Sequence, residues 1–349
     1  MSLHNFPFSR VSGFGPLPRL FESEEGSPAL RRLLAGEDLP LDAMAPTTPV
    51  PFSSMNEVFN RAARQSGDSL FPVRVAQAMR PEDYGPIVHF ALVAPTLAEG
   101  IRRLCRLGPL QSNVSVFNLK NDGREVSWSL DYIAARGLRI DHHALHVLVP
   151  MINFLRRYAG TSGRPVALSL ASPRDATQKA LENALEVPVR AGSGDFSVVF
   201  PSEWLALPRP ATRAPAFLSL AETIAHYRQE ALPRSMTDTV AALLGPIVGN
   251  AEIDLDVIAG KLNISRRTLQ QRLSAEGASF RDISLGVRIN RAKEMILNGQ
   301  APIAEVALSV GYSDQPHFQR AFKVMTGLTP QEFRRQNRRA SRIAAEAAE

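Results

Sequence analysis

Residues 311–334 read GYSDQPHFQRAFKVMTGLTPQEFR and decide the fold. The large apolar side chains of Phe318, Phe322 and Met325 recur at three- and four-residue spacing, which places them on one face of a helix. Another face offers hydrogen-bonding and positively charged side chains, at Gln315, Gln319, Arg320 and Lys323. The stretch therefore predicts an amphipathic helix with two chemically distinct faces.

The residues around this helix suit its two ends. Gly311 can supply the positive φ of a sharp turn, and Ser313 or Asp314 can cap the helix N-terminus. Pro316 falls in the first turn, where its missing N–H would have had no intrahelical partner. A further helix is predicted from its N-cap, N1 and N3 residues, which are Thr329, Pro330 and Glu332.

A similar unit occurs earlier in the chain. Residues 255–277 read LDVIAGKLNISRRTLQQRLSAEG, and residues 303–327 read IAEVALSVGYSDQPHFQRAFKVMTG. Each copy has a short apolar helix, a turn, a polar N-cap (Ser265 in the first copy), and a second helix that ends at a glycine, Gly277 or Gly327. The repeated pattern predicts two helix-turn-helix motifs.

The exposed face of each second helix suits the base edges and phosphates of DNA. Arg can pair with O6 and N7 of guanine and Gln with N6 and N7 of adenine, and Arg267 and Gln271 lie one turn apart. A single amphipathic helix of this kind has a polar face that only contacts solvent about as often as one that binds DNA, but two matching copies favour DNA binding. The run RRQNRR at residues 334–339 suits either phosphate contacts or a solvated helix end. The predicted DNA-binding residues are Ser265, Arg266, Arg267, Gln270, Gln271, Ser313, Gln315, His317, Gln319, Arg320 and Lys323.

The segment between the two copies sets their spacing. Residues 281–298 predict a helix about 27 Å long at about 1.5 Å per residue. Major grooves recur at about 34 Å along one face of B-DNA. A connector of this length can place the two second helices in successive grooves.

Length and charge indicate two domains, one of which meets a polyanion. The chain has 349 residues, which is longer than a domain built around a single hydrophobic core usually is. Hydrophobic residues make up 44% and charged residues 21%, as in ordinary globular proteins. The formal charge is +6, and residues 250–349 hold 15 Lys and Arg against 11 Asp and Glu.

The single cysteine, Cys105, forms no internal disulfide and suits a small core position. With no signal peptide and no apolar run long enough for a membrane span, we expect a soluble cytoplasmic protein.

The N-terminal part of the sequence predicts an α+β domain with a mainly antiparallel sheet. Helices are predicted at residues 53–67, with Ser54 and Glu57 as a capping box, and at 96–108, 141–160 and 177–189. Asn121, Asp122 and Gly123 predict a hairpin, residues 165–172 and 196–200 predict strands, and 86–93 are apolar and β-branched as in a strand. The expected divisions are a flexible N-terminus at 1–20, an effector-binding and dimerisation domain at 21–210, a linker and helix at 211–233, an all-α DNA-binding domain at 234–340 and a tail at 341–349.

Other chemistry in the sequence is weaker. No complete catalytic or phosphate-binding signature is present, so we expect neither an enzyme nor a cofactor. Asp141, His142, His143 and His146 include the i, i+4 spacing of a helical metal chelate, but His142 shares a stripe with apolar residues and a structural role is favoured. Arg102 and Arg106, followed by Asn113 and Ser115, resemble part of a cyclic-dinucleotide site, with Asn118 in place of its glycine.

The C-terminal motifs resemble the AraC/XylS family of bacterial transcription regulators. Residues 311–334 follow the family pattern GYSDxSxFxRAFKxxTGxTPxxFR, with Pro316 at a position where a small polar residue is usual and His317 just beyond it. ISRRTLQQRLSAEG in the first copy is similar to SxRTLxRRLxxEG, and the resemblance covers roughly residues 234–340. Residues 20–210 resemble, less specifically, the ligand-binding and dimerisation domain of one branch.

The resemblance implies a homodimer that binds promoter DNA and responds to a small-molecule effector. We further expect the promoter-bound protein to contact RNA polymerase, and we expect no membrane partner. Three alternatives stay open: a metal-dependent or cyclic-dinucleotide-responsive sensor, an enzyme with a DNA-binding tail, and a constitutive DNA-binding protein without an effector. The sequence does not identify the effector or the promoter, and it does not distinguish activation from repression.

Overall fold

A computed structural model describes residues 6–337 except 36, 38, 42–43, 80–82, 84, 136, 173–176, 210–218, 229–230, 250–253, 263 and 300. Residues 211–218 and 229–230 of the predicted linker, the predicted tail and the end of the basic run at 334–339 therefore lie outside the described residues. The chain folds as two compact units, an N-terminal unit, Phe6–Leu232, and a C-terminal unit that begins at Pro233. No helix among the described residues is long and apolar enough to cross a membrane.

The N-terminal unit mixes helices and strands, as predicted for an α+β domain. Its strands are β1 Phe8–Arg10, β2 Pro49–Pro51, β3 Ser115–Asn121, β4 Glu125–Tyr132, β5 Ala167–Leu170, β6 Val189–Ala191 and β7 Ser197–Pro201. Its helices are α1 Leu17–Glu25, α2 Ser27–Ala35, α3 Phe52–Gln65, α4 Phe71–Gln77, α5 Pro86–Leu92, α6 Leu97–Leu107, α7 Asp141–Ala159, α8 Thr177–Leu185 and α9 Leu220–Arg228.

Five strands form the main sheet, in the order β3-β4-β7-β5-β6. All pairs are antiparallel except β5 with β6, so the prediction of a mainly antiparallel sheet is confirmed. Trp128, Val198 and Leu168 are cross-strand neighbours and are fully or almost fully buried. They belong to the same hydrophobic core as the apolar face of α7, which therefore positions that helix against the sheet.

Three expectations for the first hundred residues were wrong. Residues 6–20 are not a flexible terminus, because β1 pairs with β2 and the side chains of Phe8 and Arg10 are 1% exposed. Ser54 does not cap α3, which begins two residues earlier at Phe52. Residues 86–93 are not a strand: Pro86 at the first helical turn and the four-residue spacing of buried Ile87 and Ala91 give α5 instead.

The C-terminal unit is helical throughout its described part, as predicted. Its helices are α10 Met236–Leu244, α11 Leu255–Lys261, α12 Arg266–Ala275, α13 Phe280–Asn298, α14 Ile303–Ser309 and α15 Gln315–Thr326, followed by helical residues 330–337. α13 has 19 residues and is therefore about 28 Å long at about 1.5 Å per residue. It packs against α10 and also against α14 and α15, so it connects the two helix-turn-helix motifs.

The turn between α14 and α15 depends on Gly311. Its φ is +81°, in the left-handed region that favours glycine. A Cβ atom at this position would lie 3.1 Å from the Val248 carbonyl oxygen and 3.3 Å from the Arg288 guanidinium. Gly277, after the first motif, also has a positive φ of +70°, but a Cβ atom there would meet nothing within 4 Å.

These two glycines allow a matched test. We expect Gly277→Ala to lower the free energy of unfolding of the C-terminal unit by about 1 kcal/mol, from backbone strain alone. Gly311→Ala should cost more, about 2 kcal/mol or above, because strain and crowding add. Denaturant unfolding of both full-length variants measures the difference, and equal losses would contradict the crowding at Gly311.

Candidate functional site

The first candidate element is α12, whose start is fixed by a side-chain cap. The Ser265 hydroxyl accepts a hydrogen bond from the Thr268 N–H at 3.1 Å, so this predicted DNA-binding residue already serves the helix. Leu269 and Leu273 are buried, at 0% and 1% exposure. The opposite face is exposed and carries the predicted residues Arg266, Arg267, Gln270 and Gln271.

The two arginines of α12 differ in their surroundings. Arg266 forms an ion pair with Asp256 of α11, at 2.5 Å between Nη1 and Oδ2. Among the described residues Arg267 has no ion pair, and its exposed guanidinium lies one helical turn before Gln271. Arg267 is therefore the better placed of the two for an external anion or base edge.

The second candidate element is α15, and Asp314 rather than Ser313 caps it. Asp314 Oδ1 accepts the His317 N–H at 2.7 Å, whereas the exposed Ser313 hydroxyl lies 3.4 Å from the other Asp314 oxygen. Pro316 occupies the first turn, as predicted. The helix ends at Gly327 in the left-handed conformation, and the Gly327 N–H donates to the Lys323 carbonyl at 2.8 Å.

The faces of α15 separate as predicted, with one exception. Phe318 and Phe322 are fully buried, but Met325 is 46% exposed and does not join their stripe. Met325 lies in the last turn, where Phe333 of the following helical segment packs on Phe322 instead, at 5.5 Å between ring centroids. The predicted residues on the other side are the half-buried Gln315 and Gln319 and the exposed His317, Arg320 and Lys323.

We refer to α12 and α15 as the reading helices, and two side chains that the sequence did not single out support them. Glu276 accepts hydrogen bonds from the backbone N–H groups of Met236 and Thr237, at 2.7 and 2.8 Å, and so ties the end of α12 to the start of α10. Partial burial opposes its ionisation, but hydrogen bonds from the Thr237 hydroxyl and from these two N–H groups outweigh burial and lower the pKa of Glu276. Arg288 of α13 donates to the Gly311 carbonyl at 2.8 Å and thereby supports the turn before α15.

A separate candidate site lies in the N-terminal unit, where a cavity of about 120 Å³ opens between α7 and the β3–β4 hairpin. Its walls are mostly apolar, and its polar residues include Gln111, His143 and His146. The complete lining is Ser9, Gly13, Ile87, Val88, Leu104, Gly108, Gln111, Ser112, Ser115, Phe117, Trp128, Leu130, His143, His146, Val147, Pro150, Met151 and Phe154.

The three histidines of α7 each form a hydrogen bond with a different residue and do not converge on a common metal site. His142 Nδ1 donates to Asn60 Oδ1 at 2.8 Å, and His146 Nε2 donates to the Gly13 carbonyl at 3.0 Å. His143 Nδ1 is hydrogen-bonded to the Tyr132 hydroxyl at 2.6 Å. Within the described ranges, no three His, Cys, Asp or Glu side chains are grouped so that they could hold a metal ion.

The weak effector candidates on α6 do not line the cavity. Arg102 is 64% exposed and pairs with Glu99 at 3.1 Å, and Arg106 is also exposed. The Asn113 side chain is hydrogen-bonded to the backbone of Phe6 and Phe8. The structure therefore does not gather a phosphate-binding cluster from these residues. Cys105, on the same helix, packs partly against the core, and burial raises the pKa of its thiol to about 11.

A buried arginine connects the cavity region to α9. The Arg10 guanidinium donates to the carbonyls of Leu110 at 2.8 Å, Thr47, and Tyr227 at 3.5 Å, and it also lies 4.9 Å from the centre of the Tyr227 ring. Burial raises the pKa of Tyr227 to about 12, although a hydrogen bond with the Ile87 backbone opposes this shift. Tyr227 of α9 is thus held by β1 and α5, two elements at the edge of the cavity.

The buried histidines predict a pH dependence of stability. Burial lowers the pKa of His143 to about 3 and that of His146 to about 4, from an ordinary value of 6.5. As the pH drops, the histidines of the unfolded chain bind protons near pH 6.5, before the buried rings of the folded protein do. The free energy of unfolding is therefore highest above about pH 6.5 and falls as the pH drops toward 4. The slope in this window should reach about 1.4 kcal/mol per pH unit for each histidine.

Calorimetry of the full-length protein between pH 7 and pH 5 measures this slope. His146→Gln keeps a donor for the Gly13 carbonyl but removes the titrating ring, so we expect a shallower slope. His226→Gln, at an exposed position of α9, is the matched control and should leave the slope unchanged. A slope that is the same in all three proteins would contradict the role of the buried ring.

Family models match both parts of the chain. Residues 29–209, more than half of the chain, match the model described as the arabinose-binding domain of AraC transcription regulator, N-terminal. Residues 258–336 match a helix-turn-helix domain and include both reading helices. One match lies in each of the two units from which the candidate sites come.

The related proteins are transcription regulators rather than enzymes. The chain is 28% identical over 142 residues to the ornithine utilization regulator of Pseudomonas aeruginosa, which covers 38% of this chain and 42% of that protein. It is 28% identical over 180 residues to the regulator VqsM of the same organism, covering 49% and 53%. The chain thus matches about half the length of these relatives. The crystal structure of the regulator CdpR from Pseudomonas aeruginosa is 21% identical, with a TM-score of 0.38, over 87% of this chain and 97% of that one.

Proposed function

Because this chain belongs to the AraC family of transcription regulators, we propose that it binds specific promoter DNA through its two reading helices. The second part of the proposal is that a small molecule bound by the N-terminal unit controls this binding. The regulator would act in the bacterial cytoplasm as a homodimer and contact RNA polymerase at the promoter. The observation that carries the proposal is the exposed arginine on each reading helix, Arg267 and Arg320, opposite a fully anchored apolar face.

The chemistry of these faces suits sequence-specific contacts. Arg267 and Gln271, one turn apart on α12, match the donor and acceptor patterns of guanine and adenine in the major groove. On α15 the corresponding surface holds Gln319, Arg320 and Lys323, which combine base-edge chemistry with charge for phosphates. The connecting helix α13, about 28 Å long, is close to the spacing of about 34 Å between successive major grooves.

The first test removes one exposed guanidinium from each reading helix. The full-length protein and the variants Arg267→Ala and Arg320→Ala are titrated against DNA from upstream of the neighbouring genes and against a scrambled duplex. If the arginines read bases, each variant should lose about 1 to 3 kcal/mol of affinity for the specific site, that is about 5- to 150-fold, and discriminate less well. The wild type should prefer its site at least about a thousandfold.

The control removes a charge from the same unit but not from a reading helix. Arg291 lies on α13 and pairs with Glu294 at 3.1 Å. Arg291→Ala should leave the preference for the specific site unchanged and at most weaken both duplexes alike. Wild-type binding that is equal for both duplexes and disappears with added salt would refute sequence-specific recognition.

The contacts of α9 support control by the N-terminal unit. α9 precedes the C-terminal unit in the chain, and its Tyr227 is held by Arg10 and by the backbone of Ile87. Ser9, Gly13 and Ile87 also line the cavity. A ligand in the cavity that favours one arrangement of these neighbours would therefore favour one placement of α9. A ligand can shift a conformational equilibrium only if it binds the two conformations with different affinities.

A further inference from the structure

The cavity between α7 and the β3–β4 hairpin has a lining that excludes charge. None of the residues that line it is Lys, Arg, Asp or Glu. Most of its wall is side-chain carbon, including Phe117, Trp128 and Leu130 from the hairpin and Val147 and Phe154 from α7. An ionised molecule would lose its hydration in this cavity without gaining a counter-charge.

The two histidines in the lining do not supply a positive charge either. Burial, with their mutual proximity as a further cause for His143, holds the pKa of His143 at about 3 and that of His146 at about 4. Both rings are therefore neutral near pH 7. A carboxylate or phosphate in the cavity would meet no cation among the lining residues.

The lining nevertheless includes polar residues whose hydrogen-bonding atoms are not all in use. Gln111 donates from Nε2 to the Ser12 hydroxyl at 2.9 Å, while its buried Oε1 has no partner among the described residues. His143 uses Nδ1 with the Tyr132 hydroxyl, and in the described part of the chain its Nε2 makes no hydrogen bond. Both residues line the cavity and each has an unused hydrogen-bonding atom, which favours a ligand with one hydroxyl or amide group that otherwise buries only carbon.

We propose that this cavity binds an uncharged, largely apolar molecule that carries one hydroxyl or amide group. Its volume of about 120 Å³ is somewhat below the roughly 150 Å³ of an engineered apolar cavity that takes up benzene. The ligand should therefore have about six to eight non-hydrogen atoms. The inference rests on the proposed effector control, because it names the chemical class of that effector.

The test uses a matched pair of probes on the full-length protein. Cyclohexanol is neutral, has one hydroxyl and seven non-hydrogen atoms, whereas cyclopentanecarboxylate, with about eight non-hydrogen atoms and a similar ring, carries a negative charge. The chain has two tryptophans, and Trp128 lines the cavity, so Trp204→Phe leaves Trp128 as the single fluorescent reporter. We expect a saturable change of Trp128 fluorescence with cyclohexanol and at least about tenfold weaker binding of the carboxylate.

A second pair of variants locates the binding. Val147→Phe should fill the cavity from α7 and abolish the response to cyclohexanol. Val116→Phe makes the same change next to the cavity-lining Phe117, on the other face of β3 where Val116 is paired with Asp131, and should keep the affinity within about twofold. If Val147→Phe does not fold, the thermal midpoint of the wild type decides instead: cyclohexanol should raise it and the carboxylate should not.

The inference is overturned if the carboxylate binds as well as the alcohol, if the alcohol gives no saturable response, or if Val147→Phe keeps that response. Operator affinity is measured in the same Trp204→Phe protein, with and without cyclohexanol, and distinguishes this inference from the proposed function. If the protein binds cyclohexanol selectively but binds no specific DNA, the ligand class proposed for the cavity is supported and the proposed regulatory function is refuted. A protein that binds its operator but takes up the carboxylate equally well refutes only the ligand class.

Discussion

Two buried side chains four residues apart fix the orientation of each reading helix. Leu269 and Leu273 anchor α12, and Phe318 and Phe322 anchor α15, all at 1% exposure or less. Because an α-helix turns once in about 3.6 residues, anchoring one stripe determines which side chains point outward. The exposure of Arg267 and Arg320 thus follows from apolar burial, and not from any interaction of the arginines themselves.

The ends of the reading helices add the second constraint, which is where each helix begins along its axis. Ser265 and Asp314 cap the two helices through the N–H groups three residues later. Glu276 and Arg288 then hold the neighbouring segments, at the start of α10 and at the Gly311 carbonyl. A recognition surface needs side chains positioned within a fraction of an ångström. Apolar packing alone leaves the position of each helix along its axis adjustable, and these polar contacts fix it.

Local features of this structure could be predicted from the sequence, whereas its long-range contacts could not. The helix predicted at 96–108, the hairpin at Asn121 to Gly123 and the paired helix-turn-helix motifs depend on residues close in sequence, and the structure contains all of them. The partners of Arg10 are 37 to 217 residues away, so no local pattern indicated that residues 6–20 would be ordered. The cavity likewise forms from β1, α5, α6, the hairpin and α7, and no single stretch of sequence encodes it.

The apolar character of the cavity also matters for how much control a ligand there can exert. Burying six CH₂ groups, at about 0.8 kcal/mol each, gives a gross gain on the order of 5 kcal/mol. Only the difference in this gain between two arrangements of the protein can shift their populations, and allosteric couplings of about 1 to 3 kcal/mol are typical. A change that uncovers a third of the ligand is therefore sufficient. The segments that could produce such a change are those of Ser9, Gly13 and Ile87, which line the cavity and adjoin the contacts that hold Tyr227.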